Sequence, residues 1–174
     1  ILVGEIRDKE SAEIAINAAL TGHLVLSTLH TNDATGAISR LLDMGVENFL
    51  ISSALVGVLS QRLVRRVCSD CMGSGTTTEA RTGTVIRGTD GGNEQFRTCR
   101  TCGGSGYRER VGIYELLPVN DEIRRAITQE VDNATLNRIA RENGMVNLRE
   151  DGEEKVRNGM TTAAEVARVC QLDF

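Results

Sequence analysis

The chain contains no tryptophan, two tyrosines, three phenylalanines and a single proline among its 174 residues. With aromatic side chains at 3%, it has few rings on which to stack bases. Acidic residues outnumber basic ones, 24 to 20, for a net charge of −4. Neither feature fits a nucleic-acid surface. No apolar run approaches the roughly 18 residues that a membrane-spanning helix needs, and no secretory signal precedes the first apolar run. Lysine is scarce as well. Lys9 and Lys155 each follow an acidic residue, and neither ends a glycine-rich loop, so a GxxxxGK[ST] phosphate-binding loop is absent. Ile1 is not a methionine and already reads as part of a core strand, so the chain is expected to be a fragment of a longer protein. Hydrophobic residues at 40% and charged residues at 25% place it in the globular class, with length for one ordinary domain or two small ones and a cytosolic setting expected.

The first thirty-four residues organise the rest. Ile1, Leu2 and Val3 form a short apolar run that stops at Gly4, and Glu5, Ile6, Arg7 and Asp8 follow at once. Residues 9 to 21 carry Ala12, Ala15, Ile16, Ala19 and Leu20 at helical spacing, with a cap at Asp8 and a stop at Gly22. Leu24, Val25 and Leu26 make the next strand. A connection of this length between apolar strands is a βαβ unit with parallel strands, so Glu5 and His30 are predicted to emerge on the same edge of one sheet. Open α/β sheets bind ligands at that edge.

Thr31-Asn32-Asp33 is a capping cluster, and Ala37, Ile38, Leu41, Leu42 and Met44 run at helical spacing to Gly45. Residues 47 to 59 read as a further apolar helix, and Gln61 to Val67 as a strand or extended lead. From 68 to 110 the chain turns rich in Gly, Thr and Arg and poor in large apolar side chains, so it cannot build a core of its own. A short strand, Ile113 to Leu117, then leads into Pro118. Helices follow, one capped by Asn120 or Asp121, one capped by Asn133 and ending at Gly144, one over 147 to 158, and a last one opened by a Thr162-x-x-Glu165 capping box and ending near Cys170. The expected division is 1–67, 68–110 and 111–174, the last a small helical bundle.

Two matching halves stand out, Cys68-x-x-Cys71-x-Gly73-x-Gly75 and Cys99-x-x-Cys102-x-Gly104-x-Gly106. Each Cys-x-x-Cys puts two thiolates on one tight knuckle, and two knuckles complete a four-sulfur tetrahedral shell suited to Zn²⁺. A pair of disulfides is the rival, disfavoured in a cytosolic chain. A closed shell leaves no open coordination position, so the metal folds the segment rather than catalysing. Cys170 stands alone and reads as a packed thiol, and His23 as a hydrogen-bonded core residue. Arg62, Arg65, Arg66, Arg97, Arg100, Arg108 and Arg110 gather around the cysteines and fit a salt-bridging or subunit-contact surface.

Taken alone, Glu5 would be a solvated loop carboxylate, and Arg7 and Asp8 would pair with each other or cap the helix. In context, an apolar strand ending in Gly4-Glu5, followed one βαβ unit later by a strand ending in Ser27-Thr28-Leu29-His30, is the layout of the far side of an ATP site. There the carboxylate polarises water or assists Mg²⁺, and a polar residue on the neighbouring strand senses the γ-phosphate.

ILVGEIRD, TGHLVLSTLHTNDA, QRLVRRVC, the cysteine pairs, GYRERVGIYELLPV and LREDGEEKVRNGMTTAAEV together resemble the carboxyl-terminal part of the ATPases that power bacterial type II secretion and type IV pilus assembly. The resemblance implies an α/β fold: a partial RecA-like P-loop ATPase core, a four-cysteine zinc subdomain and a helical carboxyl-terminal part. It implies ATP, Mg²⁺ and Zn²⁺ as cofactors, a homo-hexamer in the cytoplasm, and docking to inner-membrane platform proteins of the secretion or pilus machine, with no nucleic acid. On this resemblance Glu5 falls on the Walker B glutamate, with Gly4 where many P-loop enzymes have aspartate. His30 lies in the His box, Gly4, Glu5, Arg7 and His30 face the nucleotide, and Cys68, Cys71, Cys99 and Cys102 form the metal site. Pilus-retraction ATPases lack the cysteine module. The CxxCxGxG repeat also looks like the zinc unit of J-domain co-chaperones, which handle unfolded polypeptide, although two repeats stand here rather than four and no His-Pro-Asp occurs.

Overall fold

The computed structural model describes residues 1–78, 85–87 and 95–170; residues 79–84 and 88–94 of the polar stretch between the cysteine pairs therefore lie outside the described residues. The chain divides into two compact units, Ile1–Gln61 with Tyr114–Leu148, and Arg62–Ile113 with Arg149–Phe174.

The first unit opens with two segments running parallel on either side of a helix, as expected, but a single bridge joins them in place of two paired strands, and Ile1, Leu2, Leu24 and Leu26 are exposed rather than core. Leu2 bridges Leu26 in parallel. The N–H groups of Val3 and Ile6 donate to the carbonyls of Leu26 and Thr28, both at 2.9 Å, and Leu26 N–H returns to Ile1 at 3.0 Å. Between them runs α1 (Lys9–Leu20), whose capping box joins Asp8 and Ser11. It stops at Thr21 and Gly22, the latter at φ 94°, a left-handed conformation that glycine adopts without a Cβ clash. Asp33 caps α2 (Ala34–Asp43) by accepting the Gly36 N–H.

Residues 47–59 do not form one helix. α3 (Asn48–Ala54) is two turns long, and by Gly57 the chain is already in β1 (Gly57–Val67). The β-branched Val56 and Val58 favour extended backbone, and glycine at 57 weakens a helix. A side chain at 57 would also stand 3.2 Å from the Leu117 carbonyl oxygen. β5 (Tyr107–Pro118) is longer than the short strand expected and pairs with β1. Cys68 N–H donates to Gly106 and Val119 N–H to Val56, at 2.9 and 3.0 Å, so the pair is antiparallel.

Asn120 caps α4 (Asp121–Thr128), as expected. For α5 (Asn133–Glu142) the cap is Asp132, one residue before the expected Asn133. Both helices belong to the first unit, where α4 packs on α3 and α5, and α5 on α2. α6 (Leu148–Arg157) and α7 (Ala163–Cys170) fall in the second unit apart from Leu148. The carboxyl-terminal helices thus do not make a bundle of their own, because the apolar stripe of α4 finds its complement in the helices that precede β1. Ile38, Ile51, Ile123 and Ile127, each at most 1% exposed, form the centre of this core.

In the second unit β4 (Gln95–Thr98) pairs antiparallel with both β2 (Thr76–Thr78) and β3 (Val85–Arg87). α6 and α7 approach so closely that a Cβ at Gly152 would lie 2.6 Å from Val166 Cγ1. Half of the expected capping box forms: Thr162 Oγ1 accepts the Glu165 N–H at 3.3 Å. The Glu165 carboxylate does not reach back to the cap. It is 2% exposed and bound by Arg65 and Arg168.

Candidate functional site

Two groups of side chains carry chemistry, one in each unit. Where the two bridged segments of the first unit end, Glu5 Oε2 and His30 Nε2 lie 3.1 Å apart, as the parallel connection predicts. Arg7 pairs with the other carboxylate oxygen of Glu5 rather than with Asp8, and Asp8 is occupied with Ser11. Glu5 is 29% exposed, while Arg7 at 74% and His30 at 87% stand open on this face. The hydrogen bond from Arg7 holds the Glu5 carboxyl below its ordinary range, with a further contribution from His30, against the opposing effect of desolvation. The carboxylate is therefore ionised at neutral pH, the state needed to accept a proton from water or to face a cation. Beside it, nothing lies within 4 Å of the place a Gly4 side chain would occupy. Thr28, which carried no predicted role, donates its hydroxyl to the Gly4 carbonyl at 2.8 Å and fixes this corner. His23 is hydrogen-bonded near Ala18 O and Thr21 Oγ1, both at 3.3 Å, but it is exposed rather than core; the tight turn at Thr21–Gly22 leaves it at the surface.

A second residue missed in the sequence is Glu115, 3% exposed on β5. Its Oε1 accepts the N–H of Ala34, the first residue of α2, at 2.7 Å, and its carboxylate also accepts from the Leu148 backbone. Burial pushes its pKa up, partly offset by these N–H donors, with Asp33 and Arg141 acting in opposite directions. Ile113, Glu115 and Leu117 share the buried face of the strand. That register was readable, since an acidic residue between two inward apolar ones needs a partner.

In the second unit the sulfurs of Cys68, Cys71, Cys99 and Cys102 all lie within 4.8 Å of one another. Cys68 and Cys99 are 3.9 Å apart, Cys71 and Cys102 3.7 Å, and all four are free thiols. A tetrahedral shell with Zn–S bonds of about 2.3 Å has edges of about 3.8 Å, so the donor set fits that ion and is too open for disulfides. The two knuckles repeat each other at an offset of 31 residues. Ser74 and Ser105 both donate to the carbonyl of the cysteine three residues before, each at 2.7 Å. Cys68 N–H donates to Gly106 and Cys99 N–H to Gly75, both at 2.9 Å. Glycine is required where the knuckles meet: a Cβ at Gly75 would fall 2.3 Å from Gly104 O, and one at Gly106 would fall 2.4 Å from Gly73 O. Burial opposes ionisation of both Cys99 and Cys102, while the Gly106 N–H at 3.3 Å and the neighbouring thiols favour the thiolate at Cys102 and leave the proton on Cys99. Cys170 on α7 is half-buried.

The profile of a family described as "Type II/IV secretion system protein" matches residues 1–168. The chain is 53% identical over 170 residues to the type IV pilus assembly ATPase PilB of Thermus thermophilus, covering 95% of this chain and 19% of that protein. It is 47% identical over 169 residues to the type II secretion system protein HxcR of Pseudomonas aeruginosa, covering 97% and 33%. It therefore spans about a third or less of these relatives' length. Among solved structures it resembles the pilus retraction motor PilT with bound ADP, at a TM-score of 0.64 and 27% identity over 97% of this chain and 38% of that one. The Legionella pneumophila ATPase DotB, at TM-score 0.65 and 22% identity, covering 98% and 38%, shares the fold.

Proposed function

The chain belongs to the type II/IV secretion system protein family, and from that membership we propose that it forms the water-activating side of an ATP-driven motor for type II secretion or type IV pilus assembly. The observation that carries the reading is the juxtaposition of Glu5 and His30 at 3.1 Å, at the ends of two segments joined by a parallel bridge. Bound Mg²⁺–ATP would supply the electrophilic γ-phosphoryl group and the charge to be neutralised. Glu5 would orient the attacking water or a water on Mg²⁺, with Arg7 bonded to its other oxygen. His30, exposed beyond Glu5, would be the group placed toward the γ-phosphate, and Gly4 leaves room beside the carboxylate. The expected segments take these roles: 1–67 the nucleotide side, 68–110 a fold held by zinc on four thiolates, and 111–174 support. In the longer protein the motor is a cytoplasmic homo-hexamer docked to inner-membrane platform proteins. Among the described residues no helix is long and apolar enough to cross a membrane. The co-chaperone reading rests on the CxxCxGxG repeat alone, whereas the family match runs through both halves of that repeat.

The test is turnover and nucleotide affinity of the full-length protein carrying Glu5→Gln or His30→Ala. Glu5→Gln keeps the size and removes the charge, so ATP binding persists while turnover falls by roughly 10² or more, the scale of a lost catalytic group. Near-normal turnover with Glu5→Gln overturns the assignment.

A further inference from the structure

We infer that Glu115 is a positioning residue that holds the His30-bearing turn in register with Glu5; this deepens, and rests on, the assignment of His30 to the nucleotide site. His30 sits on a span of chain anchored on either side. On the amino side, Thr28 is tied to the first segment, its carbonyl accepting the Ile6 N–H at 2.9 Å and its hydroxyl bonding Gly4 at 2.8 Å. On the carboxyl side, Ala34 N–H donates to Glu115 Oε1 at 2.7 Å. Between these anchors Leu29 packs on the core, Thr31 Oγ1 donates to Asp33 O at 3.1 Å, Ser60 Oγ donates to the Asn32 carbonyl at 3.5 Å, and Asp33 Oδ1 accepts the Gly36 N–H at 2.6 Å; the bond to Glu115 is shorter than the one from Ser60, which also comes from distant sequence. The histidine ring itself is 87% exposed, so packing does not fix it. Its placement against Glu5 depends on where the backbone of the turn is held.

Glu115 is built for that task. A carboxylate at 3% exposure is costly to desolvate and persists where donors replace water. Here the donors are backbone N–H groups from two elements, Ala34 at the start of α2 and Leu148 at the start of α6, each a helix amino terminus whose dipole favours negative charge. Asp33 stands close enough to oppose the charge and Arg141 to favour it. Asp33 caps α2 through Gly36 and leaves the Ala34 N–H, another of the free donors of the first turn, for Glu115. What Glu115 adds is a link across 81 residues of sequence, from a buried strand to the turn after His30. A 1 Å misplacement of a catalytic group can cost about 10²-fold in rate, so the anchor of this turn acts on catalysis without touching substrate.

The experiment is a double-mutant cycle in the full-length protein, measuring kcat and KM for ATP in Glu115→Ala, Glu115→Gln, His30→Ala and the Glu115→Ala/His30→Ala pair, with amide hydrogen exchange on each. Glu115→Ala is expected to lower kcat roughly tenfold or more, with KM changed less than twofold and faster exchange confined to residues 30–34 and the start of α6 at Leu148. Glu115→Gln, which keeps one carbonyl acceptor for Ala34, recovers a large part of the rate. In the His30→Ala background the Glu115→Ala change costs little more, because its effect runs through the histidine. An equal loss with and without His30, or normal kcat in Glu115→Ala, overturns the inference. If His30→Ala alone turns over normally, it is the nucleotide-site reading that fails. Glu115 is then judged by exchange: a local effect at 30–34 sustains its anchoring role, and a uniform effect across the first unit overturns it.

Discussion

Replacing Glu165 should destabilise the second unit more than replacing either arginine bound to it. Its two oxygens accept four hydrogen bonds: from the Arg65 guanidinium at 2.6 Å and Arg65 backbone N–H at 3.1 Å, and from Arg168 Nε and a terminal nitrogen at 3.1 and 3.0 Å. That fills the roughly four lone-pair sites a carboxylate offers. The Arg65 guanidinium also lies over the Tyr107 ring, 4.3 Å from its centre, and the Tyr107 hydroxyl bonds Thr162 at 2.9 Å. Breaking a buried ion pair costs about 3–5 kcal/mol when it strands a charge. Glu165→Ala strands less, because the arginine side chains are 48% and 54% exposed and can turn to water. It does leave the Arg65 backbone N–H without an acceptor, so the loss is about 2–4 kcal/mol. Arg168→Ala keeps the Arg65 contacts and costs less than Glu165→Ala, and Arg65→Ala falls between.

These two arginines and the backbone donor hold the Glu165 carboxyl well below its ordinary range, with the Arg65 hydrogen bond the largest cause. A carboxyl lowered on folding stabilises fully above its unfolded value of about 4.3, and the contribution fades as pH falls below that toward the lowered folded value. Denaturant titration read by Tyr107 fluorescence in a Tyr114→Phe background, from pH 7 down to 3, measures both effects. An Arg168→Ala loss equal to that of Glu165→Ala, or an acid dependence in the parent no steeper than in Glu165→Ala, would refute the reasoning.

Three further outcomes are expected. Protein made under reducing conditions should hold one Zn²⁺ per chain, and Gly106→Ala, which places a methyl against the Gly73 carbonyl, should release it at much lower chelator concentration; metal analysis and competition with a chromogenic chelator read this directly. This chain alone should hydrolyse no ATP above a Glu5→Gln control, since a lysine-bearing phosphate loop is absent from its sequence; steady release of phosphate by the pure chain would contradict that. Asp8→Ala removes the side-chain half of the α1 capping box, the Oδ1 that accepts the Ser11 N–H, and leaves the backbone N–H of residue 8 on Ser11 Oγ; it should lower stability measurably by denaturant titration, whereas no change would mean that the turn from Glu5 to Asp8 is held by other means.

What could be read in advance divides along the reach of the interactions concerned. The parallel connection around α1 was legible because its signals are local: an apolar triplet ended by glycine, a capping aspartate, an alanine-rich helix stopped at Gly22; its strands shrink to one bridge because Leu2 and Leu26 have no further strand to pair with among the described residues. The four-cysteine cluster was legible because each knuckle lies within a few residues. The end of α3 was missed because the apolar stretch over 47–59 has no period that separates helix from strand, and the decision falls to Gly57 and the strand it meets, β5. The carboxyl-terminal helices were predicted individually, but an amphipathic stripe says that a helix has a buried face without saying what covers it. Glu115 and Glu165 were missed for a stricter reason. Their partners lie 81 and 100 residues away, and a lone acidic residue ordinarily reads as solvated, or in the case of Glu165 as the last position of a capping box. Yet a carboxylate whose strand neighbours at i−2 and i+2 are both apolar must either break the strand's inward face or find donors there. In an α/β fold the donors at hand are unpaired N–H groups at helix starts. The register of GIYELL, set beside the capping cluster that opens α2, already contained the pairing of Glu115 with Ala34 as a hypothesis to be tested.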